Sequence, residues 1–360
     1  MKKRNCIFII CVSCFVSASA QKVALEKYDL RRSGGEILFA GAEERILKDE
    51  QKLKDKVLTV ADDTMTIEGA GSHDYMSVAP YWFDNGAGVW EKKDGVRNAD
   101  VNQWEDKKDM NRLVREVSLL ALAERVHSIK GEAGKAYAAA ERLNKRLLWW
   151  FVDEETRMAP NMKYAQFVPG KGRDGKVRGS GIVELRVMMD LIESLEIVEA
   201  DGRMDAELKK AVRKWFAEMV EWMLTSPQGQ KERSAKNNHG TWYDAQVIMC
   251  SAFCGKTSVA KEFEEELRQR IMDQIDENGV QKYEMARTKS LSYCCFNLLA
   301  YSYCKDALRK CGVDVEKWKE WERVKKAAKV VEEYALRDGK GWDGSQITPF
   351  ERREWSIIGR

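Results

Sequence analysis

Residues 205–223 read Asp-Ala-Glu-Leu-Lys-Lys-Ala-Val-Arg-Lys-Trp-Phe-Ala-Glu-Met-Val-Glu-Trp-Met. Leu208, Ala211, Val212, Trp215, Phe216, Met219, Val220 and Met223 recur at i, i+3, i+4 and i+7, the period of one buried helical face with charges opposite. On either side the same period returns. Residues 181–198 carry it through Ile182, Leu185, Met189, Ile192 and Leu195. Further helical patterns lie near 37–57, 109–130, 132–152, 241–254, 258–276, 286–304 and 315–337, and strand-like alternation is rare. The prolines (Pro80, Pro160, Pro169, Pro227, Pro349) fall between these patterns, as helix breakers should. The expected class is all-α: antiparallel helices joined by loops and stacked as hairpins. No clean repeat at fixed period is present, so periodicity alone does not close the hairpins into a ring.

The first residues have a different character. Lys2, Lys3 and Arg4 precede an apolar run, Ile7 to Val16, and Ala18-Ser19-Ala20 matches a small-x-small cleavage site. This reads as a signal peptide over residues 1–20, with export across the inner membrane to the periplasm or the exterior. Cys14 as a lipid anchor ranks well below this, because Cys11 stands where an aliphatic residue is expected. Residues 21–360 contain no Pro/Ser-rich or low-complexity linker and are read as one catalytic domain, with no span long and apolar enough for a membrane.

Without its leader the chain has 58 basic and 58 acidic residues. Near neutrality gives no sign of a nucleic-acid stripe, and an acidic ligand has to be recognised by a local cluster of donors rather than by a global field. Cys250, Cys254, Cys294, Cys295, Cys304 and Cys311 show no zinc spacing, and no metal site is expected. Most of them fall on apolar helix faces and are read as buried free thiols.

Chemistry concentrates at two places. Asn237-Asn238-His239-Gly240-Thr241-Trp242-Tyr243-Asp244 places one of the three histidines beside two amides and ahead of two aromatic rings. About fifty residues on comes Arg287-Thr288-Lys289-Ser290-Leu291-Ser292-Tyr293. Amides, an imidazole, a guanidinium and a phenol are groups that grip and deprotonate a sugar acid. Two long loops, 71–106 and 153–181, add His73, Tyr75, Tyr81, Trp82, Tyr164, Gln166 and Arg178. Loops of this length inside a compact domain are usually functional when they carry aromatics. Ser180 is placed to cap the following helix and aim its N-terminus, with Arg178, at an anion.

Four segments carry a resemblance to a known family: His73-Asp74-Tyr75 with Ala79-Pro80-Tyr81-Trp82; Thr156 to Asn161 with Tyr164-Ala165-Gln166; Asn237-Asn238-His239-Gly240 with Tyr243-Asp244; and Glu284 with Ala286-Arg287-Thr288, Ser290-Leu291 and Tyr293. The chain resembles the alginate-lyase superfamily of helical-toroid polysaccharide lyases, most closely polysaccharide lyase family 38. The resemblance implies an (α/α) toroid and β-elimination on a uronic-acid polysaccharide or oligosaccharide. It also implies that Asn238 and Arg287 neutralise the substrate carboxylate and that His239 and Tyr293 form the proton-transfer pair. Asn237, Tyr243, Tyr75, Tyr81, Trp82, Tyr164, Gln166, Arg178 and His73 are expected to contact substrate. Two departures, Trp82-Phe83-Asp84 and Val177-Arg178-Gly179-Ser180-Gly181, fall in loops that shape the cleft and bear on subsite preference.

The chemistry explains why such residues are needed. The C5 hydrogen of a uronate is alpha to a carboxylate, so its removal builds a dianion unless donors first blunt the charge. Arg offers a rigid fork to a carboxylate. His is a natural base near neutrality, and a Tyr whose pKa is lowered by a neighbouring Arg can act as acid or base. Elimination needs no cofactor. Each residue also has a structural alternative. His239 and the two Asn are good helix caps, Tyr293 lies in a helical pattern suited to core packing, and Arg287 is a possible surface charge. Two rival functions remain: a uronate-oligosaccharide hydrolase, for which Asp74, Asp84 and Asp244 are the available carboxylates, and a non-catalytic carbohydrate-binding protein.

Overall fold

The structure, a computed structural model, describes residues 31–33, 36–39, 41–62, 65–168 and 178–356. The expected leader, and residues 170–177 of the Gly-rich stretch 170–181, lie outside these residues. The helix read from residues 205–223 is present as Ala206–Thr225. Asp205 starts it, its side chain accepting a hydrogen bond from the Leu208 amide at 2.8 Å. Ser226 ends it and begins the next helix, Pro227–Arg233, by accepting from the Gly229 amide at 3.0 Å, with Pro227 in the first turn. Leu208, Val212, Trp215, Phe216, Met219, Val220 and Met223 are all buried. Phe151 and Phe253 meet this face edge-on, at 4.9 Å from Trp215 and 5.3 Å from Phe216.

The remaining helices, in order, are α1 (Glu43–Gln51), α2 (Asp106–Ile129), α3 (Ala133–Phe151), α4 (Met188–Ala200), the two already described as α5 and α6, then α7 (Asn238–Phe253), α8 (Thr257–Gln274), α9 (Lys282–Met285), α10 (Ser290–Lys310), α11 (Trp321–Ala335) and α12 (Arg353–Ser356). Helix α2 packs on α3 and α4, α7 on α8 and α10, and α10 on α11, which makes a stack of helical hairpins. At its centre is α7, where every residue except His239 and Ala252 is buried. A helix buried on every face belongs inside such a stack, and here it carries its polar N-terminus to the end where the long loops gather. Among the described residues the six cysteines are free, and only Cys254 is partly exposed.

The structure differs from the sequence reading in the loops. Residues 71–106 contain β3 (Met76–Val78), β4 (Trp82–Asp84) and β5 (Trp90–Lys92), and residues 153–181 contain β6 (Tyr164–Phe167). β1 (Arg31–Ser33) and β2 (Glu36–Leu38) pair where the first helical pattern was expected to begin. Residues 180–187 form a 3-10 helix before α4. Strands of three or four residues are too short to show a period of two. β4 and β5 form an antiparallel hairpin, while β3 and β6 pair in parallel through Met76 and Tyr164. The parallel pair fastens the two long loops to each other.

Candidate functional site

The loops and the N-terminal ends of α7 and α10 enclose a cleft of about 890 Å³. Tyr81 and Trp82 line it from the first loop, and Gln166 and Arg178 from the second. Glu232, Asn237, Asn238 and His239 come from the α6–α7 junction, and Arg287 and Tyr293 from the α9–α10 junction. The structure therefore brings both sequence clusters to one place. The lining is cationic, with Lys92, Lys107, Arg178, Arg186, Lys231 and Arg287 against one carboxylate, Glu232, among the described residues.

The α6–α7 junction is held from below. Arg270 donates to both carboxylate oxygens of Asp244, at 2.5 and 3.1 Å, and to the carbonyls of Ala235 and Arg233 at 2.8 and 3.0 Å. Gly240 makes this possible, since a Cβ there would lie 2.0 Å from the Arg270 guanidinium. On that base Asn237 caps α7, its side-chain oxygen accepting from the His239 amide at 3.2 Å. Asn237 thus caps the helix while Asn238 beside it faces the cleft.

His239 is positioned by Glu232. Its Nδ1 lies 2.5 Å from Glu232 Oε1. A carboxylate only accepts, so in the neutral ring the proton sits on Nδ1 and Nε2 keeps its lone pair, the tautomer a general base needs. Asn238 is fixed by Glu284: its backbone N–H donates to Oε1 at 2.6 Å and its side-chain NH₂ to Oε2 at 2.7 Å. That orients the amide. One N–H hydrogen is spent on Glu284 and the other is left for a ligand, while the buried Oδ1 has no partner among the described residues. Burial raises the pKa of Glu284, and the bonds from Asn238 pull it the other way.

Arg287 departs from expectation. Its fork is engaged by Asp94: Nε lies 3.1 and 3.2 Å from the two carboxylate oxygens and Nη2 lies 2.6 Å from one of them. Asp94 makes no bond to Nη1. Burial opposes ionisation of Asp94, but the bonds and charge of Arg287, with help from Thr288, outweigh it and hold the carboxyl at about 2. The Arg287 guanidinium lies 3.6 Å over the Tyr293 ring. The Tyr293 hydroxyl donates to the Tyr81 hydroxyl at 3.0 Å. Its pKa is not lowered, as the sequence reading supposed, but raised: burial dominates, and Arg287 offsets only part of it.

In the cleft wall the Arg178 guanidinium lies 5.2 Å over the Trp82 ring, and its buried Nε has no partner among the described residues. Burial lowers its pKa. Gln166 adopts a left-handed backbone, φ 50°, which is strained for a residue with a side chain. Its amide donates to Ser77 Oγ at 2.8 Å, so the loop pairing holds this conformation in place.

Four expected contacts are corrected. Tyr75 is fully buried and donates to Glu184 at 3.0 Å. Tyr243 is fully buried and donates to the Met223 carbonyl at 2.9 Å. Tyr164 packs against Ile67 and Met76 and donates to the Gly69 carbonyl. His73 lies outside the cleft, its Nδ1 donating to the Arg157 carbonyl at 2.8 Å. In each case the polar tip satisfies a backbone or buried acceptor, which is how an aromatic or imidazole in a loop becomes structural. Sequence reasoning missed Asp94 and Glu232. Asp94 lies 193 residues from its partner, and Glu232 resembles any acidic residue on a short helix. Glu284 was quoted in the matching segment but given no role. Among the described residues, no group of three or more His, Cys, Asp or Glu side chains is placed to hold a metal ion, and no helix is long and apolar enough to cross a membrane.

Comparison with known proteins identifies the family of the chain and its fold. The sequence model of a family described as Alginate lyase matches residues 59–342. An alginate lyase from Bacteroides ovatus is similar at 27% identity, with 96% of this chain and 89% of that chain covered and a TM-score of 0.80. Alginate lyase A1-III from Sphingomonas species A1, as a variant complexed with tetrasaccharide, is similar at 14% identity, with 87% and 81% covered and a TM-score of 0.51; at that distance the likeness is one of fold alone. No curated protein matches the chain. The expected (α/α) toroid is thus the fold of this chain.

Proposed function

Because the chain belongs to the alginate lyase family, we propose that its cleft takes a uronate chain of alginate or a close relative such as glucuronan and breaks it by β-elimination, with His239 and Tyr293 moving the protons. The protein is a polysaccharide lyase. The observation that carries the residue assignment is the convergence of a His with a free Nε2, a phenol and a guanidinium on one cationic cleft.

The uronate carboxylate meets the spare N–H of Asn238 and the Nη1 side of Arg287, which drain charge as the C5–H bond weakens. His239 Nε2 takes the C5 proton. The C5–H electron pair becomes the C4–C5 double bond and the C4–O bond breaks. The departing oxygen takes the Tyr293 proton, and the product carries a 4,5-unsaturated uronate at its new end. Atoms and charges balance without water or cofactor. The raised pKa of Tyr293 suits this division, because it keeps the phenol protonated until the leaving oxygen needs it. Where the C5 hydrogen and C4 oxygen leave from the same face, Tyr293 would have to ionise before it could act first as base, which its burial disfavours. Where they leave from opposite faces, His239 is the better placed base.

The hydrolase alternative loses its residues. Asp244 is buried against Arg270, Asp74 bonds Gly71 and Asn161, and Asp84 caps the β4–β5 hairpin at Gly86 and Gly88. Among the described residues no pair of carboxylates faces the cleft, whereas glycoside hydrolysis ordinarily uses two. The test is ultraviolet absorbance of products from polymannuronate, polyguluronate and glucuronan. Unsaturated ends from at least one polymer are expected. Reducing ends without absorbance would establish hydrolysis, and binding without either product would establish a lectin-like protein. Export by residues 1–20 belongs to the same proposal and is tested by N-terminal sequencing of protein recovered from the periplasm or medium.

A further inference from the structure

The helix that carries Tyr293 begins without a cap of its own. Lys289 stands at the N-cap of α10 and offers no side-chain hydrogen bond. The first N–H groups of a helix need acceptors, and here they find them in a distant segment. The Ser290 amide donates to the Ser345 carbonyl at 2.8 Å, and the Leu291 amide donates to the side-chain oxygen of Gln346 at 3.2 Å. The other end of the Gln346 amide donates to Ser292 Oγ at 3.1 Å. The Ile347 amide donates back to the Thr288 carbonyl at 2.9 Å, and Lys289 and Gln346 form an antiparallel bridge. Gly344 lets the segment lie flat, since a Cβ there would stand 2.2 Å from Ser290 Oγ.

Thr288 links this brace to the chemistry. The C-terminal segment holds its main chain, while its hydroxyl donates toward Asp94, 3.0 Å from the carboxylate and 3.1 Å from the carbonyl. Asp94 grips Arg287, and Arg287 covers the Tyr293 ring. Residues 343–347 lie beyond the stretch matched by the family model, so the family match says nothing of this brace.

We propose that Gln346 is a positioning residue for turnover: as a cap supplied from the C-terminal segment, it fixes the first turn of α10 and thereby the Tyr293 hydroxyl. The claim rests on Tyr293 as the proton donor, so it needs one readout that does not depend on activity. Gln346 is only half-buried, and Gln346→Ala leaves the core untouched. In that variant the Leu291 N–H loses its acceptor and the turn loosens. Misplacement of a reacting group by ~1 Å costs about a hundredfold in rate, so kcat should fall about ten- to a hundredfold with KM within about threefold of wild type. Gln346→Glu keeps an oxygen for the Leu291 amide and adds a negative charge at a helix N-terminus, where it is favourable; it should restore most of the rate.

The experiment measures amide hydrogen exchange across residues 288–293 in full-length wild type, Gln346→Ala and Gln346→Glu, together with kcat and KM on whichever polyuronate wild type cleaves. Faster exchange in Gln346→Ala alone, matched by a loss confined to kcat, is the expected result. Unchanged exchange overturns the brace whether or not the protein proves to be a lyase. Faster exchange with wild-type kcat, or a Gln346→Glu protein as slow as Gln346→Ala, overturns its role in turnover.

Discussion

His239 and Glu232 act as one unit, Nδ1 to Oε1 at 2.5 Å, although they sit on different helices and Glu232 is almost wholly buried. The buried carboxylate fixes the ring's orientation and its tautomer. It also stabilises the imidazolium that forms when Nε2 takes a proton. Glu232→Gln keeps an oxygen to accept from Nδ1 but removes the charge. Turnover should fall about 10- to 100-fold with little change in melting temperature. Glu232→Ala should fall further. A Glu232→Gln enzyme as fast as wild type would mean that His239 is not the base.

Tyr293→Phe removes only a hydroxyl and opens no cavity. Elimination should drop by about 10³-fold or more on every substrate, with the fold unchanged by circular dichroism. The burial that raises the phenol's pKa sets a pH signature. Loss of activity through ionisation of the acid should begin only above the ordinary tyrosine value of about 10. A descending limb of kcat/KM that centres below pH 9 and vanishes in the variant would contradict this.

The Asp94–Arg287 pair predicts an acid transition. Asp94 has its pKa depressed from 3.8 to about 2 in the folded protein. The stability it contributes is fully present above 3.8 and is lost as pH falls through about 2. Melting temperatures of wild type and Asp94→Asn should therefore converge as pH falls from about 4 to about 2. Parallel curves would show that the pair adds nothing. Arg287→Lys should lose both the fork on Asp94 and the plane over Tyr293, and with them most of the turnover, while the fold survives.

Trp82 and Tyr164 were read alike from sequence and should now behave oppositely. Trp82 lines the cleft beneath Arg178, so Trp82→Ala should raise KM severalfold with a small stability change. Tyr164 packs inward, so Tyr164→Ala should destabilise by about 3 kcal/mol and leave KM near wild type. Thermal melts and Michaelis kinetics on the two variants decide it.

The helical frame was legible because amphipathic periods of fifteen residues or so survive any tertiary context; Leu208 to Met223 is the clearest case. The His239 and Tyr293 neighbourhoods were legible for a different reason, since each holds several polar groups in one short run. What stayed hidden depends on chain closure. Asp94 reaches Arg287 only because the β4–β5 hairpin swings its far end onto the start of α10, and no local pattern records that. Tyr75 and Tyr243 misled because a phenol facing a buried acceptor looks the same in sequence as one facing a sugar.

The guanidinium of Arg178 bears on which glycans the protein turns away. Arg178 is held among low-dielectric neighbours over Trp82, with a buried nitrogen that no group among the described residues satisfies. The rest of the side chain faces the cleft and is only partly buried. A neutral glycan of the right shape would strip solvent from that face and leave the cation stranded, at the penalty of an unpaired buried charge. An acidic chain brings its own counterion to each position it fills. Discrimination between acidic and neutral polymers therefore arises as much from what occupancy would strip away as from what binding adds, and it should persist at salt concentrations that screen long-range attraction.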